Sequence, residues 1–222
     1  MPNSKIHDER IMLLCSGLYV LTDSDLRPDR SPEDITLASI AGGATTIQLR
    51  ERRFDTQTTV KLAKRLCGIC HEANVLFIVN DRVDIALASS ADGVHLGPDD
   101  MHPSDARKLM GPDAIIGVSV SSIEEAEPIA EFASYLGVGA IYGSKTKSDA
   151  GDAVGPARIS LIHIAIPDLP IVAIGGIGLG NIVEVRMAGA DAAAVVSAVI
   201  CAEDMVHATR EMGIIFRQGS QT

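Results

Sequence analysis

The sequence predicts an α/β protein, a closed (β/α)8 barrel of the TIM type that takes residues 1–222 as a single domain. Three observations carry that expectation. Eight short apolar runs recur along the chain, longer helical patterns separate them, and no glycine-rich phosphate fingerprint follows the first run.

The runs lie at residues 18–21, 45–49, 76–79, 93–96, 115–118, 135–138, 171–174 and 192–196. Each is apolar almost without interruption, as a parallel strand covered on both faces requires. Between them, residues 82–89, 104–110, 123–132, 181–188 and 204–216 carry helical spacing. Ser31-Pro32, Pro103-Ser104 and Ser121-Ser122 with Glu124 and Glu125 are helix-start signals. An open doubly wound sheet would carry G-x-G-x-x-G after its first strand, where this chain has Thr22-Asp23-Ser24-Asp25. One long Gly-, Ser-, Lys- and Asp-rich loop, about residues 139–156, follows the sixth run. Residues 1–9 receive no role and form a candidate disordered segment.

Composition narrows the function classes. The 222 residues include 19 Lys+Arg and 29 Asp+Glu, a net charge of −10, which lacks the basic footprint of a nucleic-acid binder. Aromatics are 3% with no Trp, too few for a base-stacking platform. Neither an export signal nor a membrane span is read, so a cytoplasmic location with four reduced cysteines is expected. Cys67-Gly68-Ile69-Cys70-His71 matches a haem-attachment pattern, but it sits in a helical stretch and reads as helix thiols near a buried face. Oligomeric state, including a homo-oligomer, is not readable, because an apolar helix face on a barrel can meet solvent or a partner.

Barrel enzymes place their chemistry at the C-terminal ends of the strands. There the chain offers Gln48-Leu49-Arg50-Glu51-Arg52, Asn80-Asp81, Gly97-Pro98-Asp99-Asp100, Ser119, Ser144-Lys145-Thr146-Lys147, Gly175-Gly176 and Ser197. The glycine pair and Val196-Ser197 suit phosphate, which barrels commonly seat on their last two loops. Asp81 and Asp100 suit Mg²⁺, which takes one or two carboxylates and leaves the rest to substrate and water. Arg50, Arg52 and Lys147 are the cationic set, with Lys147 a candidate lid residue on the long loop. His95 defaults to a satisfied core histidine. With no nucleophile–base pair in view, charge stabilisation of a leaving anion is the expected chemistry.

Taken together these residues resemble the thiamine-phosphate synthase family over about residues 18–197. The resemblance rests on Gln48-Leu49-Arg50-Glu51, Phe77-Ile78-Val79-Asn80-Asp81, Asp92-Gly93-Val94-His95-Leu96-Gly97, Asp99-Asp100-Met101, Gly117-Val118-Ser119, Thr146-Lys147-Ser148-Asp149, Ile174-Gly175-Gly176-Ile177 and Val196-Ser197-Ala198. It implies a (β/α)8 barrel that joins hydroxymethylpyrimidine diphosphate to a thiazole phosphate, with Mg²⁺, releasing pyrophosphate in a largely dissociative step. It further implies Asp81 and Asp100 as magnesium ligands, and Gln48, Arg50, Asn80 and Lys147 as contacts to the pyrimidine diphosphate. Ser119 falls near the pyrimidine and the leaving group, and Ser144, Thr146, Gly176, Val196 and Ser197 fall on the thiazole phosphate. Arg50, Ser119 and Lys147 are the expected catalytic set, with Arg52 among the substrate contacts. The partners implied are these small molecules, not nucleic acid or membrane. Arg52, Pro98, Ser121 and Gly143-Ser144 depart from the family's usual Lys, Gln, His or Thr, and Pro-Thr. A thiazole tautomerase-like isomerase and a non-catalytic phosphate-binding barrel are the alternatives; the first needs a histidine where this chain has Ser121.

Overall fold

A computed structural model describes residues 4–143 and 153–219. Eight parallel strands close on themselves in sequence order: β1 (Leu18–Leu21), β2 (Thr46–Leu49), β3 (Leu76–Asn80), β4 (Gly93–Leu96), β5 (Ile115–Val120), β6 (Tyr135–Val138), β7 (Ile171–Ile174) and β8 (Ala192–Val195). Pairing of Val20 with Val195 completes the ring. The helices are α1 (Ser4–Leu14), α2 (Pro32–Ala41), α3 (Thr56–Glu72), α4 (Val83–Ser89), α5 (Pro103–Met110), α6 (Ile123–Ala126), α7 (Ala157–Ala165), α8 (Ile182–Met187), α9 (Ser197–Ile200) and α10 (Met205–Gln218).

Most of the start signals act as expected. Ser31 caps α2 by accepting from the Asp34 amide at 3.0 Å, with Pro32 at the first helical position. Ser122 caps α6 through the Glu125 amide. That helix is shorter than the predicted 123–132: Pro128 has no amide proton to continue the ladder, and the chain passes into a 3₁₀ turn at Glu127–Ile129. The α5 cap is His102, not a serine, with Pro103 first in the helix.

The core has two shells. Outward side chains such as Leu18, Val20, Ile47, Phe77 and Val79 pack against the helices. Inward ones, Tyr19, Leu21, Leu76, Ile78, Ile115, Tyr135, Val172, Ala192 and Ala194, fill the barrel. Leu14 from α1 joins that inner cluster, fully buried. Residues 4–9, which the sequence left without a role and as a candidate disordered segment, are thus helical. They lead into the apolar plug that Leu14 supplies, and His7 Nδ1 lies 3.5 Å from the Asp113 carbonyl.

Cys67 and Cys70 are buried free thiols on α3, as the helical reading expects. Desolvation pushes them up to about 11 and about 12, so they are poor thiolates. His71 pairs with Asp92 at 3.0 Å. Among the described residues, no helix is long and apolar enough to cross a membrane.

Candidate active site

Two cavities open in succession at the C-terminal end of the barrel. The outer one, about 300 Å³, is bounded by the ends of β5, β6, β7 and β8 and by Arg50, Pro98 and Ser121. The deeper one, about 60 Å³, reaches into the barrel and is lined by Tyr19, Gln48, Asn80, His95, Ser119 and Tyr135 among others. Arg50 and Ser119 line both, so they stand where the chambers meet.

Strand register explains the deep chamber. Leu21 pairs with Gln48, Asn80 with His95, and Ser119 with Gly137. Side chains alternate across a strand, so these residues share the inner face with Tyr19 and Tyr135. β5 runs to Val120, which places Ser119 inside the strand instead of after it. Gln48 Nε2 donates to the Tyr19 hydroxyl at 2.7 Å. His95 contacts Tyr135 through Nδ1 and Ser119 through Nε2, each at 2.9 Å. Gln48 Oε1 is buried without a hydrogen-bond partner, an acceptor that the deep chamber leaves to its contents.

Arg50 is the one cation lining either chamber among the described residues. It is held by an ion pair with Asp23, whose side chain is 4% exposed against 10% for Arg50. The other Asp23 oxygen accepts from the amides of Asp25 and Leu26, at 3.0 and 3.1 Å. Glu51, the neighbour of Arg50, is engaged elsewhere, by the Ser24 hydroxyl and the Arg53 amide. Arg52 is exposed on the β2–α3 loop and lines neither chamber.

Asp81 and Asp100 follow adjacent strands. Asp81 sits at φ 65, a left-handed backbone that aspartate tolerates better than most side chains, and its amide donates to the His95 carbonyl at 2.8 Å. The α4 N-cap is Arg82, with no side-chain cap bond. Asp100 Oδ2 accepts from the Gly97 amide at 2.7 Å, and a Cβ at Gly97 would lie 3.1 Å from that oxygen. No cluster of three or more His, Cys, Asp or Glu capable of holding a metal exists among the described residues. Hard carboxylates of this kind fit Mg²⁺, which takes one or two of them and fills its shell from substrate phosphates and water.

The β7 and β8 ends carry the glycine pair and the start of α9. Gly175 and Gly176 have φ of 104 and 65, and a Cβ on either would press on the loop after β6: on Ala140 at 2.6 Å, or on the Gly143 carbonyl at 2.7 Å. Both glycines line the outer chamber, where neither brings a side chain. Val196 caps α9 without a side-chain bond, and Ser197 opens that helix; both line the outer chamber with Gly176. Ser121, a departure from the family pattern, is tied through its amide and hydroxyl to Glu125. Ser144, Thr146 and Lys147 lie outside the described residues.

So Gln48, Arg50, Asn80, Ser119, Gly176, Val196 and Ser197 come together around the chambers, while Arg52, Asp81 and Asp100 stand on loops and line neither. Tyr19, Asp23, His95 and Tyr135 are site residues the sequence reading did not select. Of these, His95 shows its inward position only through strand pairing, which sets it opposite Asn80.

Comparison with known proteins identifies the family. Residues 18–199 match the family model described as thiamine monophosphate synthase. A thiamine-phosphate synthase of Methanospirillum hungatei is 49% identical over 197 residues, 88% of this chain and 95% of that one. A thiamine-phosphate synthase of Chloroflexus aurantiacus is 45% identical, over 88% of this chain and 90% of its own. The solved thiamine phosphate pyrophosphorylase from Pyrococcus furiosus superposes with a TM-score of 0.83 at 38% identity, covering 94% of this chain and 98% of that one. With a family model matched from the first strand of the barrel to its ninth helix, and relatives this similar along nearly their whole length, the chain belongs to the thiamine monophosphate synthase family.

Proposed function

We infer that this protein is a thiamine-phosphate synthase, a transferase that joins hydroxymethylpyrimidine diphosphate to a thiazole phosphate. The C–O bond to the diphosphate breaks and its electron pair leaves with pyrophosphate. The thiazole nitrogen lone pair forms the new C–N bond to the pyrimidine methylene carbon, and thiamine phosphate results.

The observation that carries this reading is the pair of joined chambers in a chain of this family. One is small, deep and lined with hydrogen-bonding groups; the other is wide and ends on two glycine-and-helix loops. The deep chamber suits a polar ring, with Gln48, Asn80 and Ser119 around it. The outer chamber suits the second substrate, with its phosphate on the amides of Gly176 and Ser197. The reacting carbon then falls between them, beside Arg50 and Ser119. Arg50, aimed by Asp23, offers a fixed fork of donors to the departing diphosphate. Asp81 and Asp100 would hold Mg²⁺. When bound, the ion supplies positive charge that offsets the diphosphate oxygens. None of these groups attacks the substrate; they bind, orient and stabilise charge. Ser121 stands where a tautomerase-type histidine would be needed, and its bonds to Glu125 give it no base character.

The test combines purified protein, both substrates and Mg²⁺, and follows pyrophosphate and thiamine phosphate together. Equal amounts of both, dependent on Mg²⁺, are expected. Aromatisation of a thiazole isomer without coupling would overturn the reading.

A further inference from the structure

Five side chains from five strands form one hydrogen-bonded line under the deep chamber. Gln48 on β2 donates to Tyr19 on β1 at 2.7 Å. The Tyr19 and Tyr135 hydroxyls lie 2.9 Å apart across the barrel. Tyr135 on β6 meets His95 Nδ1 on β4, and His95 Nε2 meets Ser119 on β5, both at 2.9 Å. Tyr19 and Tyr135 are the largest fully buried side chains of the described residues, in a chain with only 3 tyrosines.

The line has a direction. A buried hydroxyl must give its proton to an acceptor. Tyr19 already accepts from the Gln48 amide, so its own proton goes to Tyr135. Tyr135 in turn donates to His95 Nδ1. His95 therefore carries its proton on Nε2 and donates to Ser119, whose hydroxyl proton turns away from His95 toward the chambers. Burial pushes both phenols far above their ordinary range, so they stay O–H donors. Reversing the line requires turning the Gln48 amide and every hydroxyl and the histidine tautomer with it.

The strands are cut to fit this line. Glycine inside a strand marks a close approach by something else. Gly117 pairs with both His95 and Tyr135, and a Cβ there would fall onto the end of the Tyr135 ring. A Cβ at Gly137 would lie 2.7 Å from His95 Cε1. The two rings stack across the space these glycines leave, with centroids 5.5 Å apart.

We propose that Tyr19 and Tyr135 are positioning residues for the coupling reaction, Tyr135 acting through His95 to present Ser119 as a donor and Tyr19 holding Gln48 so that its Oε1 is an acceptor, both toward one substrate ring. That ring must offer a donor to Gln48 Oε1 and an acceptor to Ser119, as an amine beside a ring nitrogen does in an aminopyrimidine. The proposal rests on the synthase reading above.

Tyr135→Phe and Tyr19→Phe keep the rings and remove one hydroxyl each. With folding checked by thermal unfolding, kcat/KM for the pyrimidine diphosphate is expected to fall at least tenfold in Tyr135→Phe, with KM for the thiazole phosphate unchanged. Tyr135→Phe combined with Ser119→Ala should be no slower than Ser119→Ala alone, because both break one line. Histidine ¹⁵N shifts of the wild-type protein should place the His95 proton on Nε2, and Tyr135→Phe should disturb that tautomer. A proton on Nδ1 in the wild type overturns the direction. So do full kcat/KM in both phenylalanine variants, or losses that multiply in the double variant. If Tyr135→Phe does not fold, Tyr19→Phe and the wild-type ¹⁵N shifts decide. Absence of coupling in the wild type sinks the synthase reading and this proposal with it, whereas wild-type coupling with unaffected variants sinks this proposal alone.

Discussion

Beneath the chambers, Gln48, Tyr19, Tyr135, His95 and Ser119 hang from strands and largely satisfy one another's hydrogen bonds. Around the mouth, Arg52, Asp81 and Asp100 stand on loops just beyond the strand ends. The floor's geometry is inherited from the closed sheet: once eight strands pair, the inward positions are decided. The mouth's geometry is decided loop by loop. Arg50 belongs to both regions, since it leaves β2 at the rim yet is locked by the buried Asp23 carboxylate. This difference predicts that damage to the floor and to its Asp23 anchor shows in stability and substrate fit together. Damage to the mouth shows in turnover, with the fold intact.

The largest effect is expected where the two regions join. Asp23→Ala leaves the Arg50 guanidinium buried and unpaired, and frees the amides of Asp25 and Leu26. Losing one partner of a buried pair costs about 3–5 kcal/mol, so urea unfolding should show a large loss, with turnover falling alongside. Retention of wild-type stability would mean that Arg50 is solvated at the rim.

Asp81→Asn is the matching test of the mouth. Asparagine tolerates the left-handed backbone at this position, so the shape is kept and only the charge is lost. Mg²⁺-dependent turnover is expected to fall about a hundredfold, ~2.7 kcal/mol of barrel-mouth charge stabilisation, without a change in unfolding midpoint. Full activity in both Asp81→Asn and Asp100→Asn would remove the metal assignment.

Gly117→Ala crowds the floor at the contact between Tyr135 and His95 without replacing a polar side chain. The added methyl would meet the Tyr135 ring and His95. Overpacking of this kind costs about 1–3 kcal/mol, and the pyrimidine diphosphate KM should rise with it. Gly68 on α3 is the control: nothing lies within 4 Å of its would-be Cβ, so alanine there is expected to stabilise by about 0.5–1 kcal/mol. Equal responses at both sites would mean that the strand glycine is only a weak strand former.

What the sequence disclosed follows the same division. The eight runs, their parallel character and the strand-end residues Gln48, Asn80 and Ser119 were legible because burial on both faces leaves a continuous apolar signal. That same continuity hid Tyr19, Tyr135 and the role of His95. When both faces are apolar the run carries no alternation, and only pairing register says which residue looks inward. Asp23 was hidden differently: its partner lies 27 residues away, and Thr22-Asp23-Ser24-Asp25 reads locally as nothing more than a missing glycine fingerprint. The helical periodicity of 123–132 misled because Pro128 ends the hydrogen-bond ladder while leaving the apolar spacing in place.

Arg52 gives the smallest effect and the finest division between the regions. The resemblance sets it among the substrate contacts, yet the side chain is exposed on a loop and outside both chambers. An exposed cation acts through solvent, where screening shortens its reach from about 8 Å at physiological ionic strength to about 3 Å at 1 M salt. Arg52→Ala should therefore leave stability within ~0.5 kcal/mol. It should raise KM for the pyrimidine diphosphate a few-fold at low salt, and that difference from wild type should vanish as salt rises. Arg50→Lys, by contrast, should lose activity at every salt concentration, because its contact is geometric and its partner Asp23 is buried. If the Arg52 effect persists in high salt, the β2–α3 loop closes over the diphosphate during turnover, and the mouth shares the floor's fixed geometry at the moment it matters.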